Sequence, residues 1–205
     1  MQLIYQTHSP FARKVLVMAH EVGLAAALEV IHQETSPTRR NEAVFALNPL
    51  GKVPVLVLAD RSCLFDSNVI CEYLDGLHDR PRLLPAEPTA RFAALRLQAL
   101  AQGMADAGIA VRWETERRPE ALRYAPFHDG QLAKLRAAYA FVEQDPALDG
   151  LLTIGQIALA TTLDWLEFRN VAPFRVDHPR LASWFDRFAE RSSMQATPLS
   201  GETVD

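Results

Sequence analysis

Ser9 stands immediately before Pro10 at the head of an apolar helical pattern. Serine is a favoured N-cap, and proline suits the first helical position because an N–H there has no helical partner to lose. A helix starting here aims unpaired N–H groups and the positive end of its macrodipole at the Ser9 hydroxyl, a setting that favours negative charge. Asp66-Ser67 repeats the form at the head of a second helical pattern, with Ser67 read as the N-cap. Between them, Asn48-Pro49-Leu50-Gly51 reads as a turn, followed by Lys52-Val53-Pro54 at the mouth of a buried strand. Pro54 offers no N–H to a ladder, and a cis bond or an edge position answers that. Each feature also has a plain reading: two caps, a solvated lysine and an edge proline.

Other chemistries fit poorly. No G-x-S-x-G frame surrounds Ser9, and no base is placed by spacing, which disfavours a serine hydrolase. Gly51-Lys52 is not a phosphate loop, since Ala46 stands where that motif needs glycine and Val53 where it needs Ser or Thr. Cys63 and Cys71 form no CxxC pair, and the histidines include no i,i+4 pair. Both cysteines read as structural thiols.

The elements that must position these residues can be read along the chain. Leu3-Ile4-Tyr5 is a strand, Pro10 opens a helix with Val15, Ala19 and Val22, Gly23 stops it, and Leu28 to Ile31 is a second strand. A β-α-β unit makes these strands parallel neighbours. Gln33 to Glu42 is polar. Val53 to Leu58 and Cys63 to Phe65 form an antiparallel hairpin, and a helix follows with Ile70, Tyr73, Leu74 and Leu77 on one face. Pro81, Pro85 and Pro88 bracket Leu83-Leu84 in an extended linker. Beyond it four helical faces appear: Phe92, Leu95, Ala99, Gly103 and Ala107; Leu132, Leu135, Tyr139 and Val142; Ile154, Ile157, Ala158, Thr161, Trp165 and Phe168; and Leu181, Trp184, Phe185 and Phe188. Thr153 and Gln156 fit a capping box. The tail after Arg191 is short and polar and is expected to add little. The expected fold is α/β plus all-α: a thioredoxin-like domain (βαβ-ββα) over residues 1–79, a linker over 80–89 and a helical bundle over 90–205.

Composition agrees with a globular chain. Of 205 residues, 49% are hydrophobic and 22% charged, which argues against disorder. The first 80 residues hold seven basic against nine acidic groups and the rest 14 against 16, so neither part is built to neutralise a phosphate backbone, and nucleic acid is not the expected partner. The longest apolar run, Val53 to Ala59, is far short of the roughly 20 residues that cross a membrane. No basic-then-apolar leader opens the sequence, so a cytoplasmic setting is expected.

Four stretches together carry a resemblance: Ser9 to Lys14, Asn48 to Leu56, Phe65-Asp66-Ser67 and Glu72-Tyr73-Leu74. In order and spacing they resemble the soluble glutathione S-transferases, especially bacterial members with serine at the reactive position. The likeness is specific over the first 80 residues and architectural beyond them. It implies a catalytic Ser9 that stabilises the glutathione thiolate. A free thiol, with a pKa near 8.5, is only about 3% ionised at pH 7. Lowering it by about two units takes about 2.7 kcal/mol and raises the thiolate to roughly three quarters.

The resemblance further implies that Val53, across a cis bond to Pro54, pairs with the glutathione backbone like an added strand. Lys52 meets the glycyl carboxylate, and Asp66 and Ser67 hold the γ-glutamyl end, with the helix start taking its carboxylate. Phe11, Ala107, Val111, Trp113, Trp165, Phe168 and Arg169 are candidates for an electrophile pocket, although aromatic residues at helical spacing are more often core. His8 and Arg13 flank Ser9 and rank below it. Asp106 reads first as a solvated helix charge, with reach across a dimer cleft as the alternative. The family box usually ends in Asp where this chain has Gln156, a departure that concerns folding. Glutathione is the expected cosubstrate with no bound cofactor or metal, and a homodimer is the expected assembly. A glutathione-dependent disulfide reductase or peroxidase, or a non-catalytic glutathione-binding protein, stands as the alternative on the same fold.

Overall fold

The computed structural model describes residues 1–202, which divide into two compact units: residues 1–86 with the segment from Ser192 onward, and residues 87–191. The first is built on a four-stranded sheet of order β2-β1-β3-β4. β1 (Gln2–Tyr5) pairs in parallel with β2 (Glu29–His32), with Leu3 opposite Val30. β3 (Val55–Val57) runs antiparallel to β1, with Leu3 opposite Leu56, and β4 (Cys63–Leu64) antiparallel to β3. The parallel pair needs a crossover, and α1 (Pro10–Val22) provides it, stopping at Gly23 with φ +79°. Arg80 closes that end, donating to the Glu21 carbonyl at 2.8 Å.

Four readings are corrected here. The polar stretch runs into a short helix, α2 (Glu42–Leu47), capped by Asn41 and anchored by buried Val44 and by Leu47, which packs against the same core cluster; six residues are too few for a periodicity to stand out. α3 spans Ser67–Asp75, so Asp66 rather than Ser67 is its N-cap, accepting the Asn68 N–H at 2.9 Å. Ile70 and Leu74 are buried in α3, but Leu77 lies beyond it and is exposed. The tail also does more than expected: α8 (Ser192–Gln195) packs on α1. There Arg13 donates to the Met194 carbonyl at 3.2 Å and Ser193 to Glu21 at 2.5 Å. Residues 192–202 therefore belong with the first unit, not with the bundle assigned to 90–205, because buried Arg13 and half-buried Glu21 take partners from them.

The second unit contains α4 (Pro88–Arg112), α5 (Ala125–Glu143), α6 (Ile154–Phe168) and α7 (Pro179–Ala189). The buried face of α4 is Ala94, Leu97, Gln98, Ala101, Met104, Ala105, Ala107, Gly108 and Val111; of the expected face Ala107 is buried, Leu95 is half-buried, and Phe92, Ala99 and Gly103 are exposed. Side-chain size explains the correction. α4 and α6 approach so closely that a Cβ on Gly155 would lie 2.6 Å from the Ala94 carbonyl, and one on Gly108 2.5 Å from Leu166. At these two positions only glycine fits, and larger residues such as Leu97 and Leu166 pack around them. Thr162 adds a hydrogen bond to the Ala101 carbonyl at 3.2 Å. The expected faces of α5, α6 and α7 are the buried ones at Leu135, Tyr139 and Val142, at Ile154, Ile157, Ala158, Thr161 and Trp165, and at Leu181, Trp184, Phe185 and Phe188. Gln156 reaches back to the Thr153 N–H at 2.8 Å, so glutamine serves the box.

Candidate functional site

Sheet polarity gathers three turns at one edge. β1 hands the chain to Ser9 at its carboxyl end. β3 enters beside that end, since Ile4 faces Val55, which puts Val53-Pro54 there. β4 leaves at the same end, since Leu56 faces Leu64, and Asp66-Ser67 follows. The carboxyl end of a central strand is the usual place for ligands in open α/β sheets.

Ser9 is the N-cap of α1, with its hydroxyl oxygen accepting the Ala12 N–H at 3.2 Å. That bond leaves the O–H as a donor. His8 is buried and lies 3.7 Å from Glu34, whose carboxylate also takes His32 at 2.8 Å and the Gln6 amide at 3.0 Å. Arg13 is turned away from Ser9 toward Met194.

The turn before Pro54 is held by Asn48, which is 2% exposed. Its carboxamide oxygen accepts the Leu50 N–H at 3.0 Å, and its amide donates to the Lys52 carbonyl at 2.9 Å. Gly51 sits at φ +61° against Phe45, where a Cβ would fall 2.0 Å from the ring. The Val53-Pro54 bond is cis, in agreement with the expectation, and both residues are buried; Lys52 is exposed. The Phe65-Asp66 bond is cis as well.

Ser67 is the first residue of α3 and is 1% exposed, yet its hydroxyl has no hydrogen-bond partner among the described residues. Asn68 follows: its N–H reaches Asp66 at 2.9 Å, its Nδ2 reaches the other Asp66 oxygen at 3.4 Å, and its Oδ1 accepts from the Lys14 ammonium at 2.6 Å. Lys14 is buried on α1, and burial lowers its pKa against the opposing pull of Cys71 and Asp66. Burial also pushes the Cys71 thiol up to about 11, so it is protonated and not nucleophilic at neutral pH. Sequence reasoning missed Lys14 and Asn68. The available signal was a lysine four residues before Met18, on the apolar face of α1.

The electrophile candidates do not form one group. Phe11 lies on α1 in the first unit. In the second unit, Ala107, Val111 and Trp113 lie at the carboxyl end of α4 and just beyond it, where the helix loosens into a π turn over Trp113–Arg117. Trp165, Phe168 and Arg169 lie at the end of α6. The close approach at Gly108, where a Cβ would meet Trp165 at 2.9 Å, brings the two ends together. Ala107, Val111 and Trp165 are core residues, and Phe168 is 40% exposed under the Arg169 guanidinium, 4.5 Å from its ring. Asp106 is exposed on α4.

Among the described residues, no helix is long and apolar enough to cross a membrane. Residues 8–77 match the family description "Glutathione S-transferase, N-terminal domain", and residues 98–187 match "Glutathione S-transferase, C-terminal domain". A curated relative, "Uncharacterized GST-like protein YibF" of Escherichia coli (strain K12), is 33% identical over 203 residues, covering 96% of this chain and 98% of its own. A crystal structure of a glutathione transferase family member from Pseudomonas fluorescens Pf-5 with bound glutathione superposes with a TM-score of 0.95 at 36% identity, covering 98% of this chain and 99% of that one. A second structure from that source, with bound S-(propanoic acid)-glutathione, gives a TM-score of 0.90 at 36% identity, covering 98% of this chain and all of that one.

Proposed function

The chain belongs to the glutathione S-transferase family, and from that premise we propose that it is a serine-type glutathione transferase. Ser9 is the catalytic residue: its O–H donates to the glutathione sulfur, and the start of α1 stabilises the thiolate. Asp66 and Ser67 bind the γ-glutamyl end, Val53 beside Pro54 binds the cysteinyl backbone, and Lys52 binds the glycyl carboxylate. The thiolate then attacks a hydrophobic electrophile held by residues drawn from Phe11, Ala107, Val111, Trp113, Trp165, Phe168 and Arg169.

The observation that carries this reading is the buried Ser67 hydroxyl, which lacks a partner at a helix start on the same sheet edge as Ser9. A carboxylate supplies the acceptor that such a hydroxyl and the adjoining helical N–H groups require. The S-substituted glutathione bound by the similar Pseudomonas fluorescens protein favours conjugation over the disulfide reductase and peroxidase alternatives, because a thioether is what conjugation makes. We assign residues 1–86, with the segment from Ser192 onward, to the binding domain and residues 87–191 to the bundle, and we assign the chain to a homodimer in the cytoplasm. Exposed Val69 on α3 and Phe92 on α4 support the dimer.

Side-by-side assays with a reactive aryl halide, an organic peroxide and a small disulfide test the reading. Conjugation of the aryl halide is expected, with Ser9→Ala lowering it by about tenfold or more. Full activity in Ser9→Ala, or activity on the disulfide alone, would sink it.

A further inference from the structure

The Lys14 ammonium is almost fully withdrawn from water. A buried cation is tolerated only when other groups compensate it. Its hydrogen-bond acceptor is a neutral amide, the Oδ1 of Asn68 at 2.6 Å, and the same amide turns its Nδ2 toward Asp66. The chemistry at each end fixes which way the amide faces. An ammonium can only donate and a carboxylate can only accept, so oxygen must face Lys14 and nitrogen Asp66. Asn68 thus lies as an aligned dipole between a buried positive charge and the acidic N-cap of α3.

Two independent features give this arrangement a role at the ligand edge. Lys14 follows Ser9 by five residues on α1, and α1 packs against α3. The Lys14–Asn68 bond therefore ties the helix that starts at Ser9 to the helix that starts at Asp66-Ser67. The unpartnered Ser67 hydroxyl belongs to the residue that joins Asp66 to Asn68, so the backbone on both sides of it is held by this arrangement. We propose that Lys14 is a positioning residue for glutathione. Acting through Asn68, it sets the Asp66 carboxylate and the Ser67 hydroxyl for the γ-glutamyl amino and carboxylate groups. The inference rests on the assignment of Asp66 and Ser67 to that end of glutathione.

Lys14 touches no reacting atom in this scheme. Its loss should weaken glutathione binding and spare the chemical step once glutathione saturates. The loss of one buried, charge-assisted hydrogen bond corresponds to about tenfold in affinity. Lys14→Met keeps the chain length and removes the charge, and replacing a buried ion with an apolar group of similar size is often tolerated by the fold.

Glutathione binding by calorimetry, steady-state kinetics with a reactive aryl halide and thermal melting would be measured on wild type, Lys14→Met, Asn68→Ala and the double variant. Each single variant is expected to raise Kd and KM for glutathione about tenfold, with kcat within about twofold of wild type. The double variant should bind about as well as either single, because both act through one link. Wild-type affinity in Lys14→Met overturns the inference, as does a double variant whose loss is the product of the two singles. If Lys14→Met does not fold, Asn68→Ala with wild-type affinity overturns it alone. Wild-type protein that binds no glutathione overturns the functional reading itself, and that result is read before any variant.

Discussion

The Asp75 carboxylate at the end of α3 accepts the Leu83 N–H at 2.9 Å, and its second oxygen accepts the Leu84 N–H at 3.1 Å. All three residues are buried. A proline-bracketed segment cannot satisfy its backbone within itself, so a side chain from the preceding helix does so. Asp75→Ala strands two buried N–H groups. A loss of about 2–4 kcal/mol in unfolding free energy is expected, measured by urea denaturation. A loss below about 0.5 kcal/mol would show that water takes over both groups.

Ser67→Ala separates binding from stability. Ser67 is not the cap of α3 and its hydroxyl has no partner among the described residues, so stability should stay within about 0.5 kcal/mol of wild type. The Kd for glutathione should rise about tenfold. Calorimetry and a melting curve on one preparation check both, and unchanged affinity would remove Ser67 from the site.

Cys71 gives a pH signature. Its folded pKa, about 11, lies above its ordinary value because burial disfavours the thiolate. The unfolded chain therefore loses this proton first as pH rises. The contribution is fully present below about pH 9 and is lost by about pH 11. Its size is on the order of 2 kcal/mol. Cys71→Ala should flatten the fall in stability across that window, which denaturation at pH 8, 9 and 10 would show. An unchanged slope would mean that the fall belongs to other groups. In the folded protein at pH 8, a thiol-alkylating reagent should spare Cys71.

Much of the backbone at the candidate site was legible because its parts are local. Serine before proline, glycine in the left-handed region after an asparagine turn, and an acidic residue before serine each declare a backbone state within a few residues. The cap at Asp66 was misplaced by one position because aspartate and serine are equally good caps, and the backbone chooses between them. The buried face of α4 was not legible for a different reason. Its apolar periodicity allows two stripes, and the choice falls to where α6 approaches closely, at Gly108 and Gly155. The role of Lys14 was hidden because its partner lies 54 residues away.

The first unit is split in sequence, since α8 and its contacts to Arg13 and Glu21 are encoded after the whole helical unit. During synthesis, the helix that starts at Ser9 must therefore wait for residues 192–195 to emerge before Arg13 and Glu21 meet their partners. The order of translation makes the helical unit the earlier to finish, although the sheet is made first. A truncation near Ser192 would uncover Arg13 and Glu21 on the helix that starts at Ser9.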